Sequence, residues 1–197
     1  MTWGDVKLAT LQKMFSSDGA NINKNDESIK EYLNSMPAAA NEAIRMLSTS
    51  VAPVRKSEEV SKSKGKKMSV DCTDFSRFWR MESPEVYHIK NGIPEAYADC
   101  KFLAGKYLVF PESAEGTFEC FYDAMPAEIT LNTADTEKID LPDEAVVLLP
   151  LYMASELYKD DDLSIATYYR NEFETALERL KMPVSGIDEF VNTTGWW

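Results

Sequence analysis

The segment LPDEAVVLLPLYMASELYKDDDLSIATYYRNEFETALERLK, residues 141–181, reads as two helices joined by an acidic turn. Leu141 stands before Pro142, Asp143 and Glu144, where proline geometry and acids at the positive end of the helix dipole favour a helix start. The stripe Val146, Val147, Leu149, Met153 and Leu157 follows, interrupted by Pro150. That proline removes a backbone bond and should kink the helix or divide it. Asp160, Asp161 and Asp162 end this helix and cap the next, without the ligand spacing and glycine of a calcium loop. The second helix carries Ile165, Tyr169, Phe173, Leu177 and Leu180 on one face, at four- and three-residue steps, flanked by Tyr168, Arg170, Glu172 and Glu178. Both stripes are too wide for so short a hairpin to bury alone, so the pair needs further helices.

The N-terminal residues 1–50 supply them. Thr2 can cap a helix whose apolar positions are Val6, Leu8, Leu11, Met14 and Phe15. The turn residues from Ser16 onward end it, and Asn25 or Asp26 caps a short helix with Ile29, Tyr32 and Leu33. A new helix is expected from Ser35, with Pro37 in its first turn and Ala40, Ala43, Ile44 and Leu47 buried. The small residues Ala38, Ala39, Ala40 and Ala43 admit a close backbone, either within the subunit or from a neighbouring one.

Residues 51–68 change character. Arg55, Lys56, Lys62, Lys64, Lys66 and Lys67 face only Glu58 and Glu59, with serines between the charges and few apolar anchors. The segment reads as a solvated loop, or as an extended arm that meets a polyanion such as DNA phosphates or an acidic partner surface. No aromatic residue is interleaved, so base stacking is not indicated.

Residues 69–140 are strand-rich. β-compatible pieces at 85–89, 97–103, 107–110 and 117–122 recur between turn signals. Lys90-Asn91-Gly92 is one such signal, and Ala104-Gly105 has the form of a hairpin link. Phe75, Phe78 and Trp79 are expected to close one end of this sheet. Residues 132–140 form an acidic linker, and residues 184–197 a tail ending in Trp196 and Trp197. Two exposed tryptophans are costly to leave in water, at roughly 25 cal/mol per Å² of apolar surface, so they invite docking onto this subunit or another.

Composition bounds the rest. A chain of 197 residues with 44% hydrophobic and 11% aromatic residues can bury one sizeable core. A net charge of -12 argues against a surface that grips nucleic acid all round. The longest apolar run stops at Pro150, far short of the roughly 20 residues of a membrane span. The N-terminal residues lack the basic and apolar sections of a signal peptide, so synthesis and first use in a cytoplasm are expected. Cys72, Cys100 and Cys120 are too far apart for a paired zinc motif and read as reduced, buried thiols, the last two on strands. His88 is the single histidine, and the chain has no glycine-rich phosphate loop, dinucleotide fingerprint, H-E-x-x-H or G-x-S-x-G elbow. No catalytic residue, metal or cofactor is therefore expected. The fold class is α+β: a bundle of N- and C-terminal helices with an inserted small antiparallel sheet region.

The pieces Y-L-x-x-M-P-x-A-A-N-E-A, at residues 32–43, and L-P-x-E-A-x-x-L-L-P-x-Y-x-A-x-E-L-Y followed by Y-Y-R-N-E-F-E-x-x-L, at residues 141–177, resemble one family. It is the head–tail connector, or adaptor, proteins of tailed bacteriophages. The middle matches by pattern more than by residue, and the lysine-rich stretch and the tail are departures. The resemblance implies a virion structural protein, made in the host cytoplasm. A ring of copies, usually twelve, would sit below the portal, extend the DNA channel and offer a platform for tail attachment. It further implies a portal partner, downstream neck or tail proteins, and double-stranded DNA that passes without specific binding. Pro37, Ala39, Ala40, Glu144, Leu149, Tyr152, Glu156, Tyr169, Arg170 and Phe173 would belong to the ring body. The basic residues of 51–68 and the terminal tryptophans would meet neighbours. Two other readings stay open: a cytoplasmic interaction module without enzymatic activity, and a nucleic-acid-binding accessory protein using the lysine-rich segment.

Overall fold

The computed structural model describes residues 1–15 and 27–181. Two helices lead: α1 (Trp3–Phe15) and α2 (Glu27–Ser50). Seven strands follow: β1 (Val54–Lys62), β2 (Met68–Asp71), β3 (Phe78–Lys90), β4 (Ile93–Ala96), β5 (Lys101–Leu103), β6 (Tyr107–Phe110) and β7 (Gly116–Ala124). After an irregular strap come α3 (Asp143–Val146), α4 (Leu149–Leu157) and α5 (Leu163–Lys181). The α+β class read from the sequence is the one observed.

The first and last helices share one core. Trp3, Val6, Met36, Ala40, Leu47, Leu149, Tyr152, Met153 and Phe173 are all buried in it. Thr2 starts α1 as read: its hydroxyl accepts from the Asp5 amide at 3.2 Å while the Asp5 carboxylate accepts from the Thr2 amide at 2.8 Å. Asp162 caps α5 by accepting from the Ser164 and Ile165 amides at 2.8 and 3.1 Å. The helix after Leu141 is indeed divided, with Pro150 in the first turn of α4, where its missing N–H removes no intrahelical bond.

Three expectations about these helices need correction. No break separates a short helix from a new one at Ser35, because α2 runs unbroken from Glu27 to Ser50 with Pro37 inside it. An interior proline costs about 3 kcal/mol, and burial of Met36, Pro37, Ala39, Ala40 and Ala43 on one face offsets it. Val147 is exposed, because it falls in the gap between α3 and α4 rather than on a helical stripe. Ile165 is exposed too; Ala166 takes the buried place in the first turn of α5.

The strands make two antiparallel sheets, ordered β1-β7-β3-β4 and β2-β6-β5. Their inner faces enclose a second core in which Phe110, Phe118, Cys120 and Tyr122 are fully buried. Both hairpin links read from the sequence are present, with Asn91 and Gly92 (φ 51° and 78°) and Ala104 and Gly105 (φ 52° and 70°) in the left-handed region that tight hairpins use. The piece at 97–103 is a strand only over β5, and an additional strand, β4, precedes it. β3 begins earlier than expected, at Phe78, and changes register between Arg80 and Glu85. That irregularity hid its first half from an alternation pattern. Phe75 and Phe78 pack on Tyr122 at 5.3 and 5.7 Å and close the sheet end as expected, whereas Trp79 turns outward under Arg80, 4.1 Å from its guanidinium. All three cysteines are buried free thiols; Cys120 lies on β7 but Cys100 precedes β5 instead of lying on a strand.

The reading of 51–68 as a loop or arm is also corrected. β1 pairs with β7 without interruption from Val54↔Ala124 to Lys62↔Gly116. Val54 and Val60 are the buried anchors that two isolated valines among charges did not announce.

Leu141 packs against both cores. The strap before it is fixed to α2 by Asn41, whose amide donates to the Ile129 carbonyl and accepts from the Ile129 N–H, each at 2.8 Å. It is fixed to the start of β3 by Arg77, which ion-pairs with Asp140 at 2.7 Å and whose carbonyl accepts from the Met125 amide at 2.8 Å. A cavity of about 490 Å³ lies at this junction, lined by Asn41, Ile44, Arg45, Arg77, Phe78 and Met125 among others.

Candidate assembly surfaces

Four of the ring-body residues named from the sequence meet between α4 and α5. Tyr152 and Phe173 are buried with ring centroids 5.1 Å apart, edge to face. The Arg170 guanidinium covers the Tyr152 ring at 4.6 Å and reaches Glu156 at 3.6 Å and Glu174 at 3.4 Å. Burial, above the neighbouring charges, pushes the Tyr152 hydroxyl up to about 12. Arg170 thus links α5 to α4 through the Tyr152 ring and Glu156, while Glu174, on α5 itself, helps hold the guanidinium in place. Leu149, Pro37, Ala39 and Ala40 are buried in the helical core, and Glu144 is exposed on α3. Ala39, Ala40 and Ala43 thus serve packing within the subunit, and Ala38 alone of the four faces solvent.

Tyr169 belongs to a second cluster, at the end of the bundle where α1 finishes and α5 starts. It lies parallel to Tyr158 at 6.3 Å, and its hydroxyl donates to the Lys13 carbonyl at 2.7 Å. The Tyr158 hydroxyl donates to the Met14 carbonyl, and Tyr32 to the Asp161 carboxylate. The bond to Asp161 is the main reason that the Tyr32 hydroxyl rises to about 12. These bonds tie four helix ends together. Beside them, the first turns of α5 leave Leu163 (70%), Tyr168 (59%) and Ile165 exposed. Ile165 and Tyr168, three residues apart, share one face of α5, whereas Leu163, two residues before Ile165, points to another.

The basic residues of 51–68 divide into two groups. Arg55 is held by Asp123 at 3.1 Å and by Glu85, and Lys62 is buried with its ammonium donating to the Ala114 carbonyl at 2.7 Å. Lys56 lies half-buried on β1. Lys64, Lys66 and Lys67 occupy the exposed loop between β1 and β2 and form no ion pair among the described residues. Trp196 and Trp197 lie outside the described residues.

Sequence reading missed two polar anchors. Asp123, buried on β7, receives Arg80 at 3.1 Å as well as Arg55, and Asn41 clamps the strap as described above. An asparagine inside an alanine-rich buried stripe was the available signal for the second; nothing local marked the first. His88 lies flat on Phe118 at 4.7 Å, and Gly116 makes room for it, since a Cβ there would stand 2.6 Å from His88 Nε2. Burial raises Cys72 to about 11 and Cys100 and Cys120 to about 12, which makes them poor nucleophiles at neutral pH. Among the described residues no three His, Cys, Asp or Glu side chains converge as metal ligands, and no helix is long and apolar enough to cross a membrane.

Compared with known protein families, residues 1–190 match the model of the family described as SU10 adaptor protein. No curated protein matches the chain.

Proposed function

The chain belongs to the SU10 adaptor protein family, a family of phage head–tail adaptors, and from that premise we propose that its copies form a closed ring, of about twelve subunits, between portal and tail. An adaptor role is structural rather than enzymatic. The ring would extend the DNA channel below the portal and carry the neck or tail proteins on its far side.

The observation that carries the ring reading is the exposed Ile165 and Tyr168 on one face at the start of α5. A heterologous contact needs a patch on one side of the subunit that fits a different surface on the next copy. A patch anchored by tyrosine hydrogen bonds to α1 and α2 is rigid enough to set the rotation between copies. Lys64, Lys66 and Lys67 at the β1–β2 loop, together with the tryptophan-bearing tail, are proposed contacts to the portal or to the next neck component. A net charge of -12 per subunit, repeated around the ring, favours DNA that slides without sticking where acids line the channel.

Electron cryo-microscopy of the portal vertex of virions that encode this chain tests the reading. A ring of copies between portal and tail is the expected density. Virions without the chain would overturn it, and Tyr168→Ala with Ile165→Ser should give folded subunits that fail to enter particles.

A further inference from the structure

β1 is an edge strand, bonded to β7 on one side only. It runs nine residues without proline and without a register shift. An uncovered edge of this length templates pairing with another chain, and proteins normally blunt it with charge. Here the charges do more than repel, because their order encodes a partner.

From this order we infer that the free subunit pairs with a second copy of itself, β1 antiparallel to β1 about a two-fold axis through Ser57. In that register Arg55 faces Glu59 of the second copy and Lys56 faces its Glu58, each pair occurring twice, while Val54 faces Val60. Opposite charges directly across antiparallel strands attract, and like charges repel. Sliding by two residues in one direction sets Lys56 against Lys56, and in the other Glu58 against Glu58. Sliding by one residue turns the inner face of one sheet outward, because side chains alternate along a strand. The chosen register keeps parity. Val54, Lys56, Glu58 and Val60 lie on the side of the buried Phe118, Cys120, Tyr122 and Ala124 partners, and Arg55, Ser57 and Glu59 on the exposed side.

Glu59 makes no ion pair among the described residues and lies opposite Glu119 on β7, so a cation from outside relieves a like-charge neighbour. Lys56 likewise has no ion pair among the described residues. Arg55 is shared with Asp123 and Glu85, yet its side chain remains 47% exposed and in reach. The result is a continuous eight-stranded sheet across two subunits. An isologous pair is closed and cannot grow into a ring, so it belongs to the subunit before assembly and covers the edge until then.

Sedimentation equilibrium of the purified full chain, with Ser57→Cys for cross-linking, tests this. The native chain should show a monomer–dimer equilibrium that weakens with salt. Glu59→Lys, which gains Glu119 within its own subunit, should weaken the dimer about tenfold, as should Lys56→Glu. Glu58→Lys/Glu59→Lys mixed with Lys56→Glu should give a heterodimer tighter than either variant alone forms. Ser57→Cys should join across the axis, whereas Ser61→Cys should not. A chain that stays monomeric, a larger ring in solution, a dimer indifferent to charge reversal, or equal cross-linking at both positions would each overturn the inference. None of these bears on whether the chain occupies the virion neck, which is tested separately.

Discussion

The helical lobe and the sheet lobe bury comparable aromatic cores, but they are closed in different ways. The sheet lobe is one uninterrupted stretch, 54–124, that contains all of its own strand partners: β3–β4 and β5–β6 are local hairpins, while β1, β2 and β3 pair with β7, β6 and β7 further along the same stretch. The helical lobe brings α1 and α2 against α4 and α5 across the whole insertion; the Tyr158–Met14 and Tyr169–Lys13 bonds span 144 and 156 residues. Contacts of long sequence separation carry a loop-closure cost that local ones do not. The sheet lobe can therefore complete itself while the helical lobe waits for both ends of the chain. Leu141 and the Asn41-held strap are what make the two lobes one unit.

The largest expected effect comes from emptying each core in turn. Phe173→Ala and Phe118→Ala should each cost about 3–5 kcal/mol. If the lobes differ as argued, Phe173→Ala should lower a helical transition followed by far-UV circular dichroism at 222 nm while the aromatic near-UV signal of the sheet persists. Phe118→Ala should abolish both. Coincident loss in both variants would show a single cooperative unit and break the comparison.

Asp123→Asn is next. Two arginines share this carboxylate, and a hydrogen bond to a charged group contributes about 1.5–3 kcal/mol. Since both arginines are partly exposed, a loss at the lower end of that range is expected in urea unfolding, confined to the sheet lobe. An effect on helical signal of equal size would mean the lobes are more tightly coupled than Leu141 and the strap explain.

Asn41→Ala tests the strap. It leaves the Ile129 amide and carbonyl without their partner, which costs about 1–2 kcal/mol for a part-buried site. Hydrogen exchange at the Ile129 amide should accelerate, and the two thermal transitions should separate. Unchanged exchange would place the coupling elsewhere.

The smallest effect near neutrality is an alkaline one. The thiols of Cys72, Cys100 and Cys120 are raised from an ordinary 9 to about 11, 12 and 12, and the Tyr152 hydroxyl from 10 to about 12. A group raised in the folded state lends stability that is complete below its unfolded value and lost as pH climbs through its folded one. The sheet lobe should thus weaken from about pH 9 upward and the helical lobe only from about pH 10. Cys120→Ala should flatten the first loss. Helical signal that falls before the sheet signal would reverse the order and count against burial as the cause.

Much of the helical lobe was legible because its stripes repeat at helical spacing and its caps are chemically distinct: Thr2, Asp162 and Pro150 each act where local chemistry placed them. The aromatic and hairpin signals of the sheet were equally local. Pro37 misled, since the residues that keep α2 continuous lie across the core and not beside it. The 51–68 segment misled for a related reason. An edge strand with one covered side shows only Val54 and Val60 as apolar, and its other stabiliser, the β7 ladder, lies more than fifty residues away.

By itself, then, the sequence determined the fold class, the caps at Thr2 and Asp162, both hairpin links and the family, because these rest on periodicity, turn chemistry and motifs contained in short windows. Only the tertiary structure decided that Asp123 and Asn41 are anchors, that Arg55 and Lys62 are occupied while Lys64, Lys66 and Lys67 are exposed, and that β1 presents an unpaired edge. A side chain's partners depend on what the fold brings within hydrogen-bonding distance, and the chain's local pattern carries no record of residues fifty or more positions away.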